Sequence, residues 1–461
     1  MGCLLILFSI LISHSICLGD DLRACEYPAL NQYTKLGLEN NLTLQRNDLS
    51  YRQSLERVKE ARGLFLPSLD FGARYTRAGG GRLIEIPVGE LLNPIHSTLN
   101  ELLAAESFPT SLPNQLVPFL RRKEHETRIR VTQQVYDLKT FHNYRANQNL
   151  VEINRAELAT FKRQLINEIE TSYFTYLKTL KIVENYDQSL KLLEENLRVT
   201  RKLFEAEKLT RDAIYRAETQ YQQMEQQLEA ARNSSDLARS HFNFLLNRPL
   251  GADVLLDSVS PSVQRPELDM GALKARALER REEIQGLEAA MSAAMHSAEI
   301  AKSGFFPSFA LVADYGYQGE KYSFTDKDDY WLVSGVFQWN LFNGFSDKAR
   351  LSRARLEVNK LEQAMAEARN QIELEVEKSV NNFNSAYRLL KVARLASRSA
   401  GENFRMVARK YEEGLASQIE YLDAQTTLTS SRVAETISLY DYLIRFSELK
   451  LAVSAYELEN L

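Results

Sequence analysis

Residues 204–220 read FEAEKLTRDAIYRAETQ, and residues 411–427 read YEEGLASQIEYLDAQTT. The two stretches align at an offset of 207, with Phe204 on Tyr411 and Ala217 on Ala424. Upstream, ARGLFLPSLDFGARY (61–75) aligns with AKSGFFPSFALVADY (301–315) at an offset of 240, and VTQQVYD (131–137) with FQWNLFN (337–343) at 206. The chain is therefore two copies of one structural unit. The fall in offset places a longer insertion in the first copy, between Tyr75 and Val131. There Gly79-Gly80-Gly81, Pro87, Pro94, Pro109, Pro113 and Pro118 predict a long loop. The copies are joined by NRPLGADVLLDSVSPSVQRPELD (247–269), rich in proline and turn formers. We divide the chain into repeat 1 (20–247), a linker (248–270) and repeat 2 (271–461).

Between the punctuated segments the chain reads as long helices. The 130 residues from Phe119 to Arg248 contain neither glycine nor proline. After Pro307 there is no proline, and beyond Phe345 only Gly401 and Gly414 interrupt. In the first stretch Ile166, Tyr173 and Leu180 alternate with Ile169, Tyr176, Val183, Leu190, Leu197 and Phe204. That spacing of three and four is a coiled-coil seam, broken at Asp187 and Glu194. A helix of about 50 residues reaches roughly 75 Å, more than a compact globule needs. The wider composition agrees: of 461 residues 44% are hydrophobic and 26% charged, which excludes a disordered chain. The formal net charge of −4, with no basic block, argues against a nucleic-acid partner.

Four short segments alternate instead with a period of two. In 69–77, Leu69, Phe71, Ala73 and Tyr75 alternate with Asp70, Gly72, Arg74 and Thr76. In 127–135, Ile129, Val131 and Val135 alternate with Arg128, Arg130 and Thr132. Phe309, Leu311, Ala313 and Tyr315 alternate with Ala310, Val312 and Asp314 in 309–317. Trp331, Val333 and Phe337 do so with Leu332, Ser334 and Val336 in 331–339. Such segments are strands with unlike faces, of a length that crosses a bilayer when tilted. The apolar face then meets lipid, and Asp70, Arg74, Arg128, Arg130 and Asp314 face a wet lumen.

The N-terminus carries an apolar run, CLLILFSILISHSICL (3–18), too short for a good spanning helix. Residues 1–19 read as a signal peptide, cut after Gly19. Leu22-Arg23-Ala24-Cys25 offers a rival, a lipobox-like anchor at Cys25 interrupted by charge. Of the three cysteines only Cys25 survives the cut, so no intrachain disulfide forms. No other segment has the roughly 18 apolar residues of a membrane helix, which leaves a secreted, periplasmic or β-barrel protein.

On these residues the chain resembles the TolC-like outer-membrane efflux family, from about Tyr27 to Tyr456. YEEGLASQIEYLDAQTTL (411–428) is close to the family's YxxGxxxxxDxLxAQ pattern, FPSFALVADYG (306–316) and VFQWNLFNG (336–344) match its strands, and LGLENNLTLQ (36–45) its first helix. The resemblance implies a homotrimer: a shared twelve-stranded β-barrel in outer-membrane lipid, four strands per protomer, over an α-helical periplasmic barrel. It implies an exit duct for a tripartite efflux pump or a type I secretion system, joined through a periplasmic adaptor to an inner-membrane transporter. The hairpin turns near 200–215 and 407–425 are then the docking surfaces. The first copy departs from the pattern, with Glu207 in place of the family glycine and Ala213 in place of the acidic residue. The second keeps Gly414 in its helix turn, with Ala416 where some members carry a basic residue.

Nothing in the sequence calls for chemistry. The six histidines fall singly, no metal or nucleotide motif appears, and no cofactor is expected. Met291 and Met295, beside His296, read as a packed helix face. Glu420 and Asp423 lie three apart and so share a helical face. Under the resemblance they form a carboxylate ring at the periplasmic tip, an aperture gate that attracts cations. Tyr411 and Gln418 then hydrogen-bond to neighbouring coils. The alternative function is a soluble exported coiled-coil scaffold; the export signal and the four alternating segments argue against it.

Overall fold

A computed structural model describes residues 27–259 and 266–456. The segments assigned to the signal peptide and to a lipid anchor at Cys25 lie outside them. The described chain forms two units that interleave in sequence. One comprises 27–55, 148–259, 266–293 and 357–456; the other comprises 56–147 and 294–356.

Each repeat opens with a broken helix pair. In repeat 1 it is α1 (Pro28–Asn40) and α2 (Leu42–Gly63); in repeat 2 it is α6 (Met270–Arg280) and α7 (Glu282–Ser303). Asn41 and Arg281 make the two breaks, and their backbone N–H groups bond to Gly37 O and Ala277 O, at the same offset of 240. Each repeat closes with a long hairpin: α4 (Leu138–Glu205) with α5 (Arg211–Leu245), and α8 (Ser346–Glu412) with α9 (Gln418–Ala452). At 68 residues α4 is about 100 Å long.

The repeat persists in the core. Leu165, Ile169, Tyr173, Phe242 and Leu246 are all 1% exposed or less, and they lie 207 positions before Ile372, Val376, Val380, Leu449 and Val453, which are all 4% exposed or less. Tyr33 meets Phe242 edge-on at 5.1 Å, and Phe383 stacks on Tyr442 at 5.1 Å. A Cβ on Gly37 would stand 2.3 Å from Ile169, so the close approach of α1 to α4 requires glycine. The linker adds a cap. Asp257 accepts the N–H groups of Ala29 and Leu30, both at 3.0 Å, and so satisfies the start of α1. Tyr173 OH donates to Leu255 O and to Asp257, both at 3.1 Å, and accepts Asp257 N–H at 2.7 Å.

The expected seam on α4 is corrected in its lower half. Leu180, Val183 and Leu190 are only half-buried, and Phe204 is exposed. Leu197 is buried as expected, and beside it the buried positions are Ser189, Leu193, Asn196 and Thr200, spaced by three and four. Polar bonds explain the shift, because α4 and α9 run antiparallel and pair along their length. Thr200 bonds Gln418, Ser189 bonds Thr429, Asn185 bonds Thr436, Lys178 bonds Asp441, and Glu170 bonds Ser447 and Lys450.

In the second unit β1 (Ser68–Arg77), β4 (Lys123–Tyr136), β5 (Ser308–Gly319) and β6 (Asp329–Gln338) form one antiparallel sheet in the order β1-β4-β5-β6. The insertion expected as a long loop is ordered. It holds a two-stranded ladder, β2 (Leu83–Ile86) with β3 (Gln115–Pro118), and a helix, α3 (Val88–Leu103), that contains Pro94. Side-chain amides do the ordering. Asn93 exchanges hydrogen bonds with Leu112, and Asn100 receives the N–H groups of Ser107 and Phe108. Among the described residues no helix is long and apolar enough to cross a membrane.

Candidate functional site: a two-faced sheet and a hairpin tip

The register sorts the strand side chains onto two faces. Asp70 lies opposite Arg130, which lies opposite Asp314; Gly72 faces Arg128 and Gly316; Arg74 faces Glu126. These residues share one face. Phe71, Ile129, Tyr315 and Trp331 form a row on the other, with Phe71 and Trp331 each 74% exposed. All five predicted charges thus fall together, and the structure adds Glu126 to them.

That face is neutralised internally. Arg130 grips Asp314 through two bonds of 2.7 Å, and Asp314 is 4% exposed beneath it. Arg128 bonds Glu126 at 2.9 Å, Arg74 reaches Glu126 at 3.0 Å, and Tyr330 OH donates to Glu126 at 3.0 Å. Over the stretch from Asp70 to Arg74 and its partners, three acids (Asp70, Glu126, Asp314) offset three bases (Arg74, Arg128, Arg130), and Glu124 follows on the same face opposite Thr76. A Cβ on Gly316 would lie 2.5 Å from Thr127 O and 2.8 Å from Arg128 Cβ, so glycine there lets Arg128 lie flat across β5.

The tip is built from the two hairpin turns. Gly414 holds φ 74°, and its N–H bonds Tyr411 O while Leu415 N–H bonds Lys410 O. Ser417 caps α9: its hydroxyl accepts Glu420 N–H at 3.3 Å, and the Glu420 carboxylate accepts Ser417 N–H at 2.7 Å. This reciprocal cap fixes the first turn. It also gives Glu420 a local structural task alongside the one predicted for it. Asp423 is exposed and makes no hydrogen bond or ion pair among the described residues. It borders a groove of about 610 Å³ between α5 and α9, with Asp212, Tyr215, Arg216, Ile419 and Leu422. Arg216 turns to Asp212 instead, and the hydrogen bond from Thr210, followed by that from Arg216, holds that carboxyl below its usual pKa.

Gln418 is buried and ties three helices together. Its amide donates to Thr200 Oγ1 and to Ala213 O, both at 3.1 Å. These partners belong to the first repeat of the same chain. Tyr411 makes no such bond within the protomer: its hydroxyl is buried without a partner, and its ring lies 5.0 Å from Tyr421. Burial first, then Tyr411, raises the Tyr421 pKa.

No group of three or more His, Cys, Asp or Glu able to hold a metal occurs among the described residues. One histidine pair does form. His142 and His296 approach at Nδ1 to 3.2 Å, and burial followed by His142 and Arg145 lowers the pKa of His296.

Comparison with known proteins agrees with this geometry. The model of the family described as outer membrane efflux protein matches residues 273–454. The chain is similar to the outer membrane protein TolC of Escherichia coli, 20% identical over 434 residues, covering 92% of this chain and 81% of that one. It is similar to the probable efflux pump outer membrane protein TtgC of Pseudomonas putida, 26% identical over 285 residues, covering 59% and 56%. Its fold is similar to the Campylobacter jejuni CmeC outer membrane channel, with a TM-score of 0.78 at 14% identity, covering 93% and 86%. The fold likeness covers both the four-stranded sheet and the two long helical hairpins of this chain.

Proposed function

We propose, from the premise that this chain is a TolC-like outer-membrane factor, that three copies close one duct and that its periplasmic tip is the gate. The observation that carries this is the sheet: four strands, one charged face, one aromatic face, and two edges. Among the described residues β1 pairs only with β4, and β6 only with β5. Open edges are not tolerated in lipid. Pairing β6 of one copy with β1 of the next gives twelve strands from three copies and a lumen wider than an eight-stranded barrel leaves. The aromatic row then meets lipid, and the neutralised Arg and Asp rows line the channel.

The protein is a passive outer-membrane channel for efflux and performs no catalysis. Its two repeats act as two hairpins per copy, six around the axis. At the tip, Asp423 and Glu420 gather as a threefold carboxylate ring that concentrates cations. Asp423 is the freer of the two, since Glu420 also caps α9. Gln418 bolts α9 to the first hairpin, and the buried Tyr411 hydroxyl finds its partner on a neighbouring copy. The turns at 206–210 and 413–417 receive a periplasmic adaptor, which couples the duct to an inner-membrane transporter. A soluble scaffold has no use for the exposed aromatic row.

Fractionation tests the reading. Recovery in outer membranes as a trimer that dissociates only on heating supports it. Recovery as a soluble monomer overturns it.

A further inference from the structure

His142 lies on the second turn of α4 and His296 two turns before the end of α7, 154 residues apart in the chain. Their Nδ1 atoms are 3.2 Å apart, their ring centroids 5.4 Å, and their planes are tilted by 35°. Two nitrogens that bind one tetrahedral ion at about 2.0–2.1 Å each lie about 3.3 Å apart. The ring centroids of such a pair lie about 5.2 Å apart. The two rings, which share a hydrogen bond between their Nδ1 atoms, thus stand at the bite of one metal ion.

We propose that His142 and His296 form a two-histidine site for a late first-row divalent cation, Zn²⁺ by its tetrahedral bite, with Cu²⁺ and Ni²⁺ as stand-ins that bind the same imidazole pair. Imidazole nitrogen suits Cu²⁺, Ni²⁺ and Zn²⁺, and affinity rises towards Cu²⁺ along the divalent series. Both rings are half-buried, so one side of the pair is packed and the other is open for water to complete the coordination. The charged neighbours offset one another. Arg145 opposes a cation at His296, while Glu299, one helical turn further along α7, favours it. Phe141 packs edge-on against His142 at 5.2 Å and limits its rotation. Because α4 belongs to the first repeat and α7 to the second, a bound ion would staple the repeats together.

The test uses the full chain, purified in detergent and titrated with Cu²⁺ alone. One strong site per chain is expected, with the electron paramagnetic resonance pattern of two nitrogen ligands. His142→Ala and His296→Ala should each weaken it at least tenfold. A variant lacking His96, His125 and His241 should keep it. Undiminished affinity in the H142A/H296A double variant overturns the proposal. A second measurement needs no substitution. Saturating Ni²⁺ should protect His142 and His296 of the wild-type chain from diethyl pyrocarbonate, read by mass spectrometry. Equal modification with and without Ni²⁺ overturns it as well.

Discussion

Glu207 and Gly414 occupy the same left-handed backbone, φ 59° and 74°, at equivalent ends of α4 and α8. The hydrogen bonds match as well. Glu207 N–H bonds Phe204 O and Lys208 N–H bonds Leu203 O, as Gly414 N–H bonds Tyr411 O and Leu415 N–H bonds Lys410 O. The turn survives the loss of its glycine because these paired bonds close the helix end, at the steric cost of a Cβ in the left-handed region. Glu207→Gly should stabilise the first turn by about 1 kcal/mol, and Gly414→Ala should destabilise the second by about 1–2 kcal/mol. Hydrogen exchange of the amides in 203–210 and 410–417 checks this. Faster exchange in Glu207→Gly would contradict it.

The α9 cap and the gate proposed at Asp423 are separable. Ser417→Ala removes the hydroxyl that receives Glu420 N–H and should cost about 1 kcal/mol of helix-end stability. Exchange over 417–424 should rise, while block of single-channel current by divalent cations stays as in the wild type. Asp423→Ala should do the opposite, weakening block with the cap intact. If Ser417→Ala abolished block and Asp423→Ala spared it, the carboxylate ring would be wrongly placed.

Alkaline pH should unfold the helical unit through its buried tyrosines. Burial, before any other cause, raises the pKa of Tyr173 and of Tyr456 above the ordinary tyrosine value. The folded state therefore keeps two protons that the unfolded chain releases above about pH 10. The sign follows: this stability is fully present below about pH 10 and is lost as pH rises through the folded values. Tyr456→Phe should flatten the loss, although it also removes the bonds to Glu170 (2.9 Å) and Ser447 O (3.2 Å). Circular dichroism and phenolate absorbance, followed together from pH 9 to 12, should show these rings ionising only as the fold melts. Ionisation with the fold intact would refute the assignment.

The two faces of the sheet should differ in tolerance for charge. Phe71→Arg and Leu311→Arg place a cation against lipid and should cost about 2–4 kcal/mol near the midplane. Gly72→Arg enters open space on the charged face and should assemble, as should Ala310→Arg. The yield of heat-modifiable oligomer measures the difference. Equal yields would mean that the faces are not lipid and lumen.

What could be read from the chain alone was what repeats locally. The offsets of 240 and 207 and the alternation in the strands depend only on neighbouring residues. They located the long hairpins, the four strands and the charged face, but not the breaks at Asn41 and Arg281 that split each entering helix in two. The cap at Ser417 went unread, although Ser-Gln-Ile-Glu at 417–420 carries the spacing of a capping box. Bonds between distant segments were not legible. Gln418 with Thr200, Asp257 on the start of α1, and Glu126 between two arginines arise from register and packing. The insertion misled because Pro94 and the glycines suggested a loop, whereas its order comes from the amides of Asn93 and Asn100. His142 and His296 have no sequence signal, being single histidines on separate repeats.

Closure of the barrel between copies is tested most directly by cysteine cross-linking of β1 to β6 in outer-membrane vesicles. Single cysteines would be scanned along Leu69–Tyr75 on β1 and Trp331–Phe337 on β6, with Cys3, Cys17 and Cys25 replaced where they persist. Barrel closure predicts that paired positions form disulfides between chains, giving dimer and covalent trimer bands, with productive pairs advancing in antiparallel order along the strands. Cross-links confined within one chain, or none at any pair, would contradict it.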